Sequence, residues 1–421
     1  MTKSYFPGLN GLRVFATLSV LITHIELTKK LLGRAGPYWV LPDRHVTYNF
    51  FYSITQGGPI GKLSWFSPLV TFCGYAALMC FFVLSGFLIT YLLLEEKKIH
   101  GKVSIKEFYL RRILRIWPAY FFAVFMGFFV LTQFGWTRVP IQEDIFKENF
   151  WSSFVSYLLM IPNLAFALNG EGTPNLGHLW SIGVEEQFYL IWPVLIGFFK
   201  RPFRAIIIFF FSVVGFKAVS YVLVRYILKV PEINPDLMQF SSADIFLKFL
   251  ATLKFECVAL GGIAASIVFY KKENILKFLY HPAIQWSAYL ALPIVVLFTP
   301  KSLYMILHIF LSLPFVVIVI NVGCNERSIF KLRSSIYDRL GKITYGAYLY
   351  HLFCFTFIFY ALDAIIGFPD QLLWWHSAAQ YVISISFTIL VSSLSFKYIE
   401  YPFIRKKRKF TKVISGDDAR V

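Results

Sequence analysis

An all-α polytopic integral membrane protein with about ten transmembrane helices is the fold class that this 421-residue chain predicts, on three observations. Hydrophobic residues fill 57% of positions and charged residues only 15%, a balance too apolar for a soluble domain of this length. Windows of roughly 20 apolar residues, the length a helix needs to cross a ~30 Å hydrocarbon core, recur from Leu9 to Tyr398. These runs are apolar on every side, as over residues 205–215 and 311–320, whereas the strands of a transmembrane barrel alternate in polarity.

In chain order, the spans fall at about 9–28, 70–94, 116–134, 179–199, 204–228, 248–270, 276–298, 303–322, 343–366 and 375–398. The first carries Arg13 and His24 and lacks a small-residue cleavage pattern, so it reads as a retained helix rather than a signal peptide. Lys and Arg orient the rest, because they concentrate on the cytoplasmic side of short loops. With the N-terminus inside, the cytoplasmic loops hold Lys97, Lys98, Lys102 and Lys106, then Lys200, Arg201 and Arg204, then Lys271, Lys272 and Lys277. Further inside segments hold Arg327, Lys331, Arg333, Arg339 and Lys342, and the tail carries the unbroken basic run 405–409. Both termini are therefore expected in the cytoplasm. Counting 151–168 as another span would put the basic 200–204 loop outside, so that stretch reads as an interfacial or re-entrant helix. Segments 29–67 and 135–178 then become external covers of an outward-facing site.

One transmembrane domain is expected over 1–404, followed by a basic cytoplasmic tail at 405–421 expected to be disordered. The formal charge of +18 lies in short blocks between apolar spans, which topology explains and a nucleic-acid partner does not. Cys73, Cys80, Cys257, Cys324 and Cys354 sit in or beside apolar runs without metal-like spacing, so they read as packing residues and no metal is expected.

Ionisable groups inside membrane helices cost several kcal/mol unless paired or hydrated, so each is a functional candidate. Arg13 and His24 are eleven residues apart, about three helical turns, which puts both on one face roughly 16 Å apart. Snorkelling of Arg13 to head groups and a structural hydrogen bond at His24 would explain them equally well. Residues 178–189 (HLWSIGVEEQFY) open the fourth span with His178, Ser181, Glu185, Glu186 and Tyr189. The adjacent carboxylates point about 100° apart and so serve different partners: a catalytic histidine to be oriented, or a structural ion pair. Arg111, Arg112 and Arg115 make a cytoplasmic cluster whose planar forks suit phosphate oxygens, although anionic lipid is an alternative ligand. Tyr345, Tyr348 and His351 form a polar stripe at i, i+3 and i+6, and Ser85-Gly86 reads as a close helix contact.

Together these motifs resemble the acyltransferase-3 family of membrane O-acyltransferases, the group of bacterial O-antigen and exopolysaccharide acetyltransferases. The matching pieces are residues 9–13 (LNGLR) with His24, the 81–88 segment, Arg111-Arg112-x-x-Arg115, residues 178–189, residues 345–351 (YGAYLYH) and residues 398–403 (YIEYPF). Met79 stands where many relatives carry an acidic residue, so no carboxylate role is assigned there. Some relatives append an esterase-like extracytoplasmic domain; none is expected within these 421 residues. The resemblance implies a ten-helix fold in the bacterial cytoplasmic (inner) membrane, acetyl-CoA or another acyl-CoA as donor, and a glycan hydroxyl as acceptor. It also implies activity that depends on Arg13 and His24.

The residues themselves suggest how such a reaction would run. The arginine cluster would hold the donor's phosphates. His24 would take the acceptor's proton, Glu185 or Glu186 would orient the imidazole, and Arg13 would hold the donor or polarise the thioester oxygen. His178, Ser181, Tyr189, Tyr345, Tyr348 and His351 are expected as substrate-contacting or supporting residues. No Ser or Cys stands in a nucleophile motif, which favours direct transfer. A proton-coupled transporter or exporter also fits buried His, Glu and Arg, as does the same fold acylating a lipid, peptide or small-molecule hydroxyl.

Overall fold

The apolar runs fold as helices whose ends follow the chain's prolines and polar residues. The computed structural model describes residues 3–4, 6–32, 66–134, 140–170, 173–230, 241–298, 304–366, 374–411 and 414–415. The expected outer cover at 29–67 lies almost wholly outside the described residues.

The first half of the chain forms α1 (Leu9–Leu31), α2 (Phe66–His100), α3 (Ile105–Phe125), α4 (Pro140–Glu148), α5 (Phe150–Leu158), α6 (Pro162–Asn169), α7 (Trp180–Phe198) and α8 (Pro202–Val222). The second half adds α9 (Ser242–Thr252), α10 (Phe255–Phe269), α11 (Glu273–Tyr280), α12 (Pro282–Phe298), α13 (Tyr304–Cys324), α14 (Ser335–Ile366), α15 (Trp374–Ser395) and α16 (Tyr401–Lys407). Pro162 and Pro202 open α6 and α8, where a missing N–H costs nothing. The Ser241 side chain accepts from the Asp244 N–H and caps α9. Pro282 separates α11 from α12, so the span expected at 276–298 starts at the proline instead.

Eight of the described helical segments are long and apolar enough to cross a membrane: α1, α2, α3, α8, α9 with α10, α13, α14 and α15 with α16. The expected count of about ten adds α7, 19 residues interrupted by Glu185 and Glu186, and α12, 17 residues. The 151–168 stretch is broken into α5 and α6, nine and eight residues long, with Met160 between them at φ 61°. Each rises only about 12–14 Å, too short to cross alone.

The chain divides into two compact units. The first comprises Met1–Phe81, Leu110–Ile141 and Lys272–Val421. Here Asn10 meets Asp338 and His24 meets His351, so α1 and α14 advance together as parallel neighbours. α15 returns antiparallel against α14, with Phe357 on Phe387 and Ser395 bonded to Tyr350. Strands β1 (Lys3–Ser4) and β2 (Ile414–Ser415) pair in parallel, Lys3 opposite Ile414.

The second unit comprises Phe82–Tyr109 and Gln142–Lys271. Its centre is a near-contact of backbones: a Cβ on Gly86 of α2 would lie 1.9 Å from the Val258 carbonyl oxygen of α10, and one on Gly261 would lie 2.1 Å from that of Val83. The small-residue contact expected at Ser85-Gly86 is thus realised at Gly86. Trp192 of α7 donates to Thr90 of α2 at 2.7 Å beside it.

Candidate active site

In the first unit the polar groups converge on α1 and α14. The continuous α1 carries Arg13 and His24 on one face, about 16 Å apart along the axis, as their spacing requires. The His24 Nδ1 lies 3.0 Å from the Val20 carbonyl oxygen one turn earlier. A carbonyl only accepts, so Nδ1 carries the hydrogen, and in the neutral form of the ring Nε2 is the basic nitrogen. His351 repeats the arrangement: its Nδ1 is 2.8 Å from the Tyr348 carbonyl oxygen and 3.2 Å from that of Ala347. The two rings face each other with centroids 4.8 Å apart at 53°. Two imidazoles, each anchored through Nδ1 to its own helix, thus pack ring against ring.

The rest of the stripe on α14 divides between support and lining. Tyr348 lies against His351, centroids 5.8 Å apart, and edge-on to Phe81 at 6.4 Å. Tyr345 donates to the Ile116 carbonyl oxygen at 2.9 Å and bolts α14 to α3. Arg13 Nη1 donates to Asn10 Oδ1 at 3.0 Å, and Asn10 Nδ2 donates to Asp338 Oδ1 at 3.0 Å. The guanidinium is thereby oriented by a relay ending on a carboxylate, and a charged end makes such a chain stronger than a neutral one.

Arg111, Arg112 and Arg115 are half-buried on α3. Arg111 Nη1 donates to the Phe410 carbonyl oxygen at 2.9 Å, which ties α3 to the basic tail. Arg115 acts electrostatically on Glu400, the buried carboxylate of the YIEYPF motif, which also accepts from Ser395 at 3.3 Å.

One cluster in this unit was missed in the sequence. Glu26, Lys29 and Tyr381 meet just beyond His24: Lys29 Nζ is 2.7 Å from Glu26 Oε1, the Tyr381 hydroxyl donates to the same oxygen at 2.5 Å, and Lys29 sits 4.6 Å over the Tyr381 ring. The i, i+3 pairing of opposite charges inside the first span was the available signal. The contact from α15 had none.

The second unit holds the other expected residues. His178 is buried in a short turn, Gly177–Leu179, that leads into α7, and Ser181 donates to its carbonyl oxygen at 3.3 Å. Glu185 Oε2 accepts from the Tyr189 hydroxyl at 2.7 Å and from Ser85 Oγ at 3.4 Å, while Ser85 and Tyr189 are 2.5 Å apart. Glu186 occupies the next position of α7, half-buried. The two carboxylates point in different directions, as adjacent helical positions do.

Fold and site together define a multi-pass membrane protein with a paired-histidine centre and an aligned arginine in its apolar interior. The family model described as an acyltransferase domain matches residues 6–397, and the chain belongs to this acyltransferase-3 family. Along 413 residues it is 26% identical to YrhL of Bacillus subtilis (strain 168), named as a candidate peptidoglycan O-acetyltransferase; the match covers 94% of this chain and 55% of that protein. Over 201 residues it is 28% identical to the O-acetyltransferase OatA of Staphylococcus aureus (strain NCTC 8325 / PS 47), covering 48% of this chain and 26% of OatA. The chain thus spans about half the length of YrhL and a quarter of OatA. No solved structure matches.

Proposed function

We propose that the chain is a membrane O-acetyltransferase that moves an acetyl group from cytoplasmic acetyl-CoA to a hydroxyl of an extracytoplasmic glycan. Peptidoglycan, named for the Bacillus relative, is the first acceptor class to try. The observation that carries this reading is the pairing of His24 with His351, two imidazoles in ring contact, each held through Nδ1 to its own helix, inside a family of acyltransferases.

In this reading the acceptor hydroxyl attacks the thioester carbonyl carbon while His24 Nε2 takes its proton. The tetrahedral oxyanion collapses, the C–S bond breaks, and the imidazolium returns the proton to the departing thiolate, giving ester and free coenzyme A. Arg13, held by Asn10, stabilises the oxyanion or holds the donor. His351 and Tyr348 support the His24 ring, and Tyr345 fixes the helix that carries them. Arg111, Arg112 and Arg115 bind the donor's phosphates: three guanidiniums within five residues match that charge and geometry. In the second unit Glu186 is the proposed catalytic carboxylate, while Glu185, held by Tyr189 and Ser85, supports α7 together with His178 and Ser181. The basic loops and the paired chain ends support both termini on the cytoplasmic side of a bacterial membrane.

The test is transfer by the purified full chain in detergent, where no gradient exists. Labelled acetyl-CoA and a muramic-acid-containing oligosaccharide should yield label in an alkali-labile ester on the sugar. Folded protein that acetylates no hydroxyl, yet moves solute in proteoliposomes when a proton gradient is imposed, would establish the carrier reading instead.

A further inference from the structure

α15 carries a polar face through its membrane segment. Gln380, Ser384, Thr388 and Ser392 recur every four residues, and all four are fully buried. Ser395 lies on the same arc and bonds Tyr350, so the face is turned toward α14. A stripe of this kind can be satisfied within its own helix, and its inner half is: Thr388 donates to the Ser384 carbonyl oxygen at 2.7 Å, and Ser392 to that of Thr388 at 2.5 Å.

The other half behaves differently. Among the described residues, neither the oxygen nor the nitrogen of the Gln380 carboxamide has a hydrogen-bond partner, and neither does the Ser384 hydroxyl. Ser384 leaves alone the carbonyl one turn back that its two successors use. An unmet buried polar group costs about 1–3 kcal/mol, and a buried amide has both a donor and an acceptor to satisfy. Gln380 adjoins Tyr381, whose hydroxyl reaches Glu26, two residues beyond His24 on α1. The unmet groups therefore lie at the end of the first unit remote from the paired termini, on the side of His24 from which an acceptor would come.

We propose that Gln380 and Ser384 form a subsite for a secondary amide of the acceptor glycan, its N-acetyl group; this rests on the transferase reading above. A carboxamide presents one acceptor and two donors in a plane, which complements the N–H and C=O of an acetamido group. Ser384, one turn along, adds a hydroxyl that either donates or accepts. The pantetheine arm of the donor also contains secondary amides, so the experiment separates the two sources.

Gln380→Met keeps the side-chain volume and removes the unmet carboxamide, and Ser384→Ala is a second, milder variant that removes the unmet hydroxyl. Binding is measured on the full chain in detergent, without turnover, using three probes: N-acetylglucosamine tetrasaccharide, its de-N-acetylated counterpart, and coenzyme A. Gln380→Met should weaken the acetylated tetrasaccharide about 3–10-fold, the scale of one neutral hydrogen bond. Ser384→Ala should act in the same direction, and it carries the test if Gln380→Met does not fold. The de-N-acetylated probe should bind wild type and variants alike, and coenzyme A should be unaffected. Weakened coenzyme A binding in its place would move the subsite to the donor. Unchanged binding of both probes, or no binding of the acetylated sugar to wild type, would overturn it. Absence of transfer by wild type would count against the proposed function and leave this binding comparison standing.

Discussion

The histidines of α1 and α14 and the glutamate of α7 solve the same problem in opposite ways. Each polar side chain sits in a helix with little water, where an unmet group is costly. His24 and His351 meet the cost through Nδ1 on carbonyls of their own helices and through ring contact with each other. Glu185 instead collects the Tyr189 and Ser85 hydroxyls on a single oxygen, which absorbs much of its accepting capacity. A group anchored at one end is suited to moving a proton, whereas a group held by two donors is suited to holding helices together. The difference teaches that depth in the membrane does not by itself mark a catalytic residue; the atom left for chemistry does.

The largest expected effect falls on the histidine side. His24→Ala should lower turnover by about 100-fold or more, the usual scale for a positioned base, with donor affinity nearly unchanged. Transfer at wild-type rate by a folded variant would remove the distinction and send the search for a base to His178, His351 or the glutamates.

Next in size is the donor site. Arg115→Ala should weaken acetyl-CoA binding by roughly 1.5–3 kcal/mol, as for a hydrogen bond to a charged group, while expression is kept. Equilibrium binding to each of the three single arginine variants decides it: unchanged affinity in all of them returns the cluster to lipid anchoring and topology.

Tyr189→Phe sharpens the comparison from the other side. Removing the phenol strips Glu185 of its shorter hydrogen bond and should destabilise the protein by about 1–3 kcal/mol, read as a lower unfolding midpoint in detergent. A variant of normal stability whose turnover collapses would place Glu185 with the histidines.

Much of this was legible beforehand. The break at Met160 agrees with reading 151–168 as other than a straight span, and Gly86 sits at the close approach that its small neighbours suggested. The aligned Arg13 and His24, and the stripe of Tyr345, Tyr348 and His351, followed from helical pitch. What pitch could not show was that His351 faces His24, or that Tyr345 serves α3 rather than the paired rings. The Tyr189–Glu185 half of its cluster is a one-turn contact visible in the spacing, whereas Ser85 arrives from another helix.

By itself the sequence determined the membrane class, the positions of most helices, the family and the residues that share a helical face. These properties are local: transfer of apolar side chains into hydrocarbon adds up residue by residue, and a helix in lipid satisfies its own backbone. Only the tertiary structure decided that α1 runs beside α14, that Tyr381 closes on Glu26, and that Gln380 is buried without a partner. Lipid tails are as apolar as the helix surfaces they cover, so hydrophobicity does not choose neighbours. Close glycine contacts and a few side-chain hydrogen bonds choose them, and those are made between residues hundreds of positions apart.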